Sequence, residues 1–382
     1  MSAVLERTRA LLPQLRDNAE ATERARRVLP DTFDAMSRAG IFRMTAPKKF
    51  GGEEADFQTQ CDVLAEVARG CPSSSWAATI LSAMSWLAGM YPDEAQAEIF
   101  GDGDPRISGV FSPTGTAVPK DGGFVVNGKW GFNTGGQGSN WTVLNTILQD
   151  GSGLPLCVIA HTRELERLDD WNATGMAGTG SHTVVASNIF IPGHRAVPLP
   201  DLVEGRGTPN RHTASNPYFN LPLAPVLIVN GGGTPLGTAR GAFDTFMQRL
   251  PGRPIAYTNY TNRAEAAVTH LQVGEASLLI DSCDAHVRRA CALLDAAGAT
   301  RLSVLERVRS RAHITYATGL ARQAVDILFN ASGATSIQPH VPIQRFQRDI
   351  QALANHAVMH TQTGTELYGR VLCGLEPNTP LY

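Results

Sequence analysis

Apolar positions recur along this chain in three rhythms. Up to about Gly101 the spacing is helical: Leu5, Leu12 and Leu15 share a phase with Ala19, and Cys61, Leu64, Ala65 and Ala68 recur before Gly70, a stop signal. From about Ile107 to Leu199 the rhythm shortens, and Gly, Thr, Val and aromatic residues alternate as in half-buried strands. Lys120-Asp-Gly-Gly123 and Asn127-Gly128 punctuate these runs, and Asn127-Gly128 predicts a two-residue hairpin turn. Beyond it Trp130 and Phe132 have the same parity, so one strand would point both to one face.

The stretch from Pro200 to Pro225 has little periodicity and is rich in Pro, Asn, Gly and Arg. Loops of that length in compact proteins are commonly lids or oligomer contacts. Helical spacing then returns in three long stripes. One runs Ala267, Leu271, Gly274, Leu278, Ser282, Ala285; a second Ala312, Tyr316, Leu320, Ala324, Ile327, Ala331. The third runs Phe346, Ile350, Leu353, Ala357, Thr361, Gly364, Tyr368, Val371 and predicts one long helix. Their small residues allow close approach, which suits a helical bundle.

A chain of 382 residues buries a large core and divides into two or three units. A formal net charge of −2 with 18% charged residues gives no electrostatic case for nucleic acid or a membrane surface. The densest basic cluster, Arg24-Ala-Arg-Arg27, reads as a solvated helix face. The first residues lack a signal-peptide apolar core, and no apolar run reaches the roughly 20 residues a membrane span needs, so the expected location is the cytoplasm. Cys61, Cys71, Cys157, Cys283, Cys291 and Cys373 show no Cys-x-x-Cys spacing and read as reduced, mostly buried thiols.

Candidate chemistry gathers in two small-residue loops that frame strands. The first is Gly128-Lys-Trp-Gly-Phe-Asn-Thr-Gly135; the second, Gly178-Thr-Gly-Ser181, precedes His182 and the run Thr183–Pro192. Such a pair suggests a planar, partly polar ring held between them. The plain alternatives are β-core packing for Trp130 and Phe132, a turn for 178–181 and a surface position for His182. His356 with His360 one turn on invites a metal, but a metal site needs three or four converging ligands and no His-Glu-x-x-His pattern is present, so none is expected. Gly231-Gly-Gly-Thr-Pro-Leu-Gly237 departs from dinucleotide spacing and more simply opens a helix.

These motifs resemble those of the acyl-CoA dehydrogenase fold, and more closely its oxygenase branch, the flavin-dependent monooxygenases supplied with reduced flavin by a separate reductase. The resemblance rests on Gly128–Gly135, Gly178–Ser181 and Ile191-Pro-Gly-His-Arg195, with Gly40–Gly52, Cys71-Pro-Ser-Ser-Ser-Trp76 and Pro342–Asp349 followed by His356 in the same order. It implies an α+β, acyl-CoA dehydrogenase-like fold: an N-terminal helical domain (1–105), a middle β-barrel-like, flavin-binding domain (106–215) and a C-terminal four-helix bundle (216–382). It further implies reduced FMN or FAD as cofactor, O2 and a small-molecule substrate, a flavin reductase as partner, and a homotetramer. Trp130, Phe132, Asn133, Thr134, Gly135, Gly178, Thr179 and Ser181 would hold the flavin, Thr134 donating a hydrogen bond near N5. His356 would control protons.

Two departures bear on subtype. In many acyl-CoA dehydrogenases a glutamate follows the Arg-Asp pair by about two helical turns; here that place is Ala357, which takes no proton. An FAD-dependent acyl-CoA dehydrogenase or oxidase, and a non-catalytic member of the fold, remain the alternatives. Phenol-hydroxylating relatives often carry a histidine two residues before a tryptophan, where this chain has Met84 ahead of Trp86. Met84 gives a phenolate no partner and so argues against hydroxylation of a simple phenol, while N-oxidation of an amine, S-oxidation and hydroxylation of a larger natural-product skeleton stay open.

Overall fold

The computed structural model describes residues 2–101, 103–208, 216–297 and 301–382. The helical rhythm at the start becomes α1 (Ala3–Ala10), α2 (Leu12–Arg24), α3 (Pro30–Arg38), α4 (Phe57–Gly70), α5 (Pro72–Ala88) and α6 (Asp93–Phe100). α5 is the axis of this part. Proline at its first position suits a helix start, and every residue but Ile80 is buried, its serines and threonine included; Ser75, for one, donates to Leu64 O at 2.8 Å. α4 begins where Asp56 accepts from Thr59 N–H, and the Asp295 carboxylate accepts from Phe57 N–H at 2.8 Å.

The alternating region forms β1 (Ile107–Lys120), β2 (Gly123–Trp130), β3 (Trp141–Leu148), β4 (Pro155–His161), β5 (Glu166–Arg167), β6 (Val184–Pro192) and β7 (Ala196–Pro198). They make one mixed sheet in the order β5-β6-β2-β1-β3-β4-β7. The sheet is open rather than barrel-like: β5 and β7 are its edges, and both are too short to present a pairing surface.

The expected turn at Asn127-Gly128 does not form. β1 and β2 are joined at Asp121-Gly122, with Lys120 opposite Gly123 and Gly122 at φ +77. Asn127 and Gly128 lie inside β2, at a register shift against β6. Gly128 is there for space. A Cβ on it would stand 2.6 Å from Gly115 Cα and 2.6 Å from the Trp130 ring, and one on Gly115 would meet that ring at 2.0 Å. A glycine inside a strand marks such close approach as readily as a turn.

Of the Pro200–Pro225 stretch, residues 209–215 lie outside the described residues. The rest is partly ordered: α7 spans Leu199–Val203, and α8 (Leu223–Asn230) starts before the stretch ends. Then follow α9 (Gly233–Arg249), α10 (Ala267–Asp295), α11 (Val304–Ala331), α12 (Ile343–Ala354) and α13 (Thr361–Leu372). α9 opens in the glycine run, as its spacing predicted. Ser303 and Glu306 form a capping box at the start of α11.

Two expectations for the helices change. Six helices rather than four run from Leu223 onward among the described residues, and α9 packs on α4 of the N-terminal part as well as on α11. The long helix expected through Phe346–Val371 is two, α12 and α13, with a bend between them that carries Met359 into the core. Within the described residues, no helix is long and apolar enough to cross a membrane.

Replacing Gly128 by alanine should cost about 1–3 kcal/mol in urea unfolding, because the indole of Trp130 has nowhere to move. Gly369→Ala in α13, where a Cβ meets nothing within 4 Å, should instead stabilise by about 0.5–1 kcal/mol.

Candidate active site

β2 stops at Trp130, and the chain turns through residues 131–138 against the loop that precedes β6. Backbone bonds staple the two loops: Asn133 N–H donates to His182 O at 3.2 Å and Gly135 N–H to Thr179 O at 3.0 Å. Gly135, at φ +70, sits on α5, where a Cβ would be 2.7 Å from Leu81. Gly178 packs on Ser73 and Thr22. Both predicted loops therefore converge at one end of the sheet, on the central helix.

Buried hydroxyls join them. Thr134 Oγ1 lies 2.8 Å from Ser181 Oγ, Ser181 Oγ 2.7 Å from Thr179 Oγ1, and Thr179 donates to Met176 O at 2.9 Å. Three bonds share three protons, so their order is fixed. Thr179 spends its proton on the carbonyl, Ser181 donates to Thr179, and Thr134 donates to Ser181. Thr134 thus ends the chain as a hydroxyl with only acceptor capacity left. That reverses the donor role expected for it.

Trp130 and Phe132 do not share a face. Trp130 is fully buried in the sheet core and donates from Nε1 to Asn145 O at 2.8 Å, which is the β-core reading. Phe132 lies past the strand end at φ +63 and is 74% exposed, with Trp171 edge-on at 5.6 Å. Trp171 escaped the sequence analysis because no periodicity surrounds it. Asn133 is buried, and neither its Oδ1 nor its Nδ2 has a hydrogen-bond partner in the structure. His182 is not a surface residue: it is buried, and its Nδ1 accepts from Trp171 N–H at 3.1 Å. Burial lowers its pKa, so the neutral ring is an acceptor rather than the partner of Asp169 and Asp170, 3.7 and 3.9 Å away.

His356 lies in the bend between α12 and α13, not on a helix. The residue is exposed as a whole, but its ring lies edge-on to Trp76 at 5.0 Å, and desolvation there lowers its pKa. Nδ1 accepts from Val358 N–H at a long 3.4 Å, which leaves the proton on Nε2. Between one and two helical turns back from the bend, α12 supplies a residue that served above only as a landmark. Asp349 is buried, accepts from Met176 N–H through Oδ1 at 2.6 Å, and leaves Oδ2 without a partner. Around it Glu23 of α2 pairs with Arg345 and Arg348, and Arg348 donates to Thr174 O at 2.7 Å. The Arg24–Arg27 cluster is likewise not one helix face. α2 ends at Arg24, and Arg26 grips Asp169 beside a cavity of about 360 Å³ bordered by Arg27, Gln137 and Arg167.

Comparison with known proteins agrees with this architecture. Residues 3–100 match the family described as acyl-CoA dehydrogenase, N-terminal domain, and residues 232–361 its C-terminal domain. The oxygenase component of the FADH(2)-dependent resorcinol hydroxylase of a Rhizobium species is 32% identical over 95% of this chain and 92% of its own. The flavin-dependent monooxygenase oxygenase subunit HsaA of Rhodococcus jostii is 31% identical over 97% of this chain and 98% of its own. Among solved structures, XiaF from a Streptomyces species, in complex with FADH2 and glycerol, superposes with a TM-score of 0.92 at 31% identity, covering 99% of this chain and 97% of that one.

Burial pushes the Asp349 carboxyl from an ordinary 3.8 up to about 7. Between those values the folded chain keeps a proton that the unfolded chain releases, so this group makes stability fall as pH rises. The unfolding free energy of the wild type relative to Asp349→Asn should decline across that window, by at most about 1.4 kcal/mol per pH unit, and level off above it. Urea titrations of both proteins at each pH would check this.

Proposed function

The chain belongs to the flavin-dependent monooxygenases built on the acyl-CoA dehydrogenase fold, and from that premise we propose that the stapled loops hold the ring of reduced flavin within reach of His356. The protein is the oxygenase component of a two-component system, taking FMN or FAD reduced by a separate reductase. The observation that carries the placement is the cluster at the loop ends. Asn133 offers a buried amide without a partner, Thr134 an acceptor oxygen and Phe132 an exposed ring. Gly135, Gly178, Thr179 and Ser181 support these from behind, while Trp130 acts by packing the sheet.

Bound reduced flavin supplies the electrons that activate dioxygen, one oxygen atom going to the substrate and the other leaving as water. The chain supplies orientation and proton control. Thr134 accepts a hydrogen bond at the ring edge, and Asn133 meets a donor and an acceptor together. Neutral His356, with its proton on Nε2, presents an N–H to an acceptor oxygen. The substrate is an aromatic or natural-product molecule oxidised at carbon, nitrogen or sulfur. Met84 is buried against Gly109 and gives a phenolate no polar partner. At Ala357, in the bend, no carboxylate base stands for thioester chemistry.

A homotetramer is part of this proposal. The stripe Ala267–Ala285 predicted as buried faces outward within one chain: Leu271 is 74% and Leu278 67% exposed, while α10 packs inward through Ile280, Cys283 and Val287. Copies of the chain meeting along α10 would cover that apolar line.

Incubation with chemically reduced FMN or FAD, labelled dioxygen and a panel of aromatic substrates should give a product with one labelled oxygen atom. Desaturation of an acyl-CoA thioester by protein that purifies with tightly held FAD would establish the alternative. His356→Ala should lower product formed per flavin oxidised by about 100-fold or more, with hydrogen peroxide rising to match. The wild-type acid limb should fall below pH 6.5, because desolvation holds the His356 pKa under that value, and the variant's residual activity should lack that limb.

A further inference from the structure

We propose that Asp349 is a positioning residue that fixes the proton order of the hydroxyl chain and so makes the site prefer reduced over oxidised flavin; this rests on the flavin reading above. The pivot is Met176. Its backbone lies at φ +53, a left-handed conformation that an L side chain adopts only at a cost. The amides on either side of its Cα are both engaged: the N–H donates to Asp349 Oδ1 at 2.6 Å, and the C=O accepts the Thr179 hydroxyl at 2.9 Å. Asp349 keeps Oδ2 buried without a partner, a penalty that packing alone gives no reason to retain.

The consequence follows from counting protons. While Met176 O holds the Thr179 proton, the order is Thr134 to Ser181 to Thr179, and Thr134 offers only lone pairs. If Met176 relaxes to a right-handed backbone, its carbonyl leaves Thr179. The Thr179 proton can then turn to Ser181, Ser181 donates to Thr134, and Thr134 is left with a proton to give. Reduced flavin carries hydrogen on N5 and oxidised flavin a lone pair there. The first order suits the reduced ring and the second the oxidised one.

Anaerobic titration with reduced FMN, and aerobic titration with oxidised FMN, gives the ratio of the two dissociation constants for each variant. The wild type should bind the reduced form more tightly. Asp349→Ala should shrink that preference about tenfold, the scale of one hydrogen bond. Asp349→Asn, whose Oδ1 also accepts from Met176 N–H, should keep it. Adding Met176→Gly to Asp349→Ala should restore part of the preference, because glycine takes the left-handed backbone without help. Thr134→Val, a variant independent of α12 packing, should lose it. If Asp349→Ala weakens both forms equally, or Thr134→Val keeps the wild-type ratio, the proposal is wrong and the role of Asp349 is only structural. Should the wild type bind neither form of FMN or FAD, the flavin reading itself fails.

Discussion

Three hydroxyl groups and one carbonyl, linked from Thr134 through Ser181 and Thr179 to Met176, hold the end of the sheet to the loop before β6. The bonds are buried, so each needs its proton, and only one assignment serves all three. The surrounding structure enforces that geometry. α5 receives Gly135 and Gly178 at distances that exclude a side chain, and α12 holds the Met176 amide. A polar seam between sheet and helices thereby gains a direction, and that direction leaves Thr134 with only its lone pairs to offer.

The seam is expensive to maintain. Asp349, Glu23, Arg345 and Arg348 bring charge to the junction of α2, α12 and the 174–183 loop, where desolvation opposes it. Glu23 pairs with both arginines and offsets one of their two charges, and the Met176 amide satisfies one oxygen of Asp349. In return three elements distant in sequence are fixed in register, with His356 one bend away from the carboxyl that anchors α12.

How far this was legible depends on which physical signal each residue carries. Alternation exposed the strands and the 3.6-residue rhythm the helices, because both report burial directly. The loops Asn133–Gly135 and Gly178–Ser181 stood out because small residues beside strands mark close backbone approach. Asn127-Gly128 misled for the same reason: its glycine makes room for an indole inside a strand rather than for a turn. Parity failed at Phe132 since it presumes a strand that ends two residues earlier. The stripe on α10 marked an apolar face without saying that this chain leaves it exposed. Nothing in the rhythm through Phe346–Val371 betrays the bend at 355–360, which contains neither proline nor glycine. Asp349 was silent because its role depends on a long-range contact to Met176.

The central proposal is that this protein manages oxygen on a flavin ring held between the Thr134 loop and His356. Rapid mixing of the anaerobic complex of protein and reduced flavin with oxygenated buffer, without substrate, tests it most directly. An oxygenated flavin species, spectrally distinct from both reduced and oxidised flavin and longer-lived than in free solution, is the predicted result. Oxidised flavin appearing at the rate seen without protein, with no species between, would contradict the account.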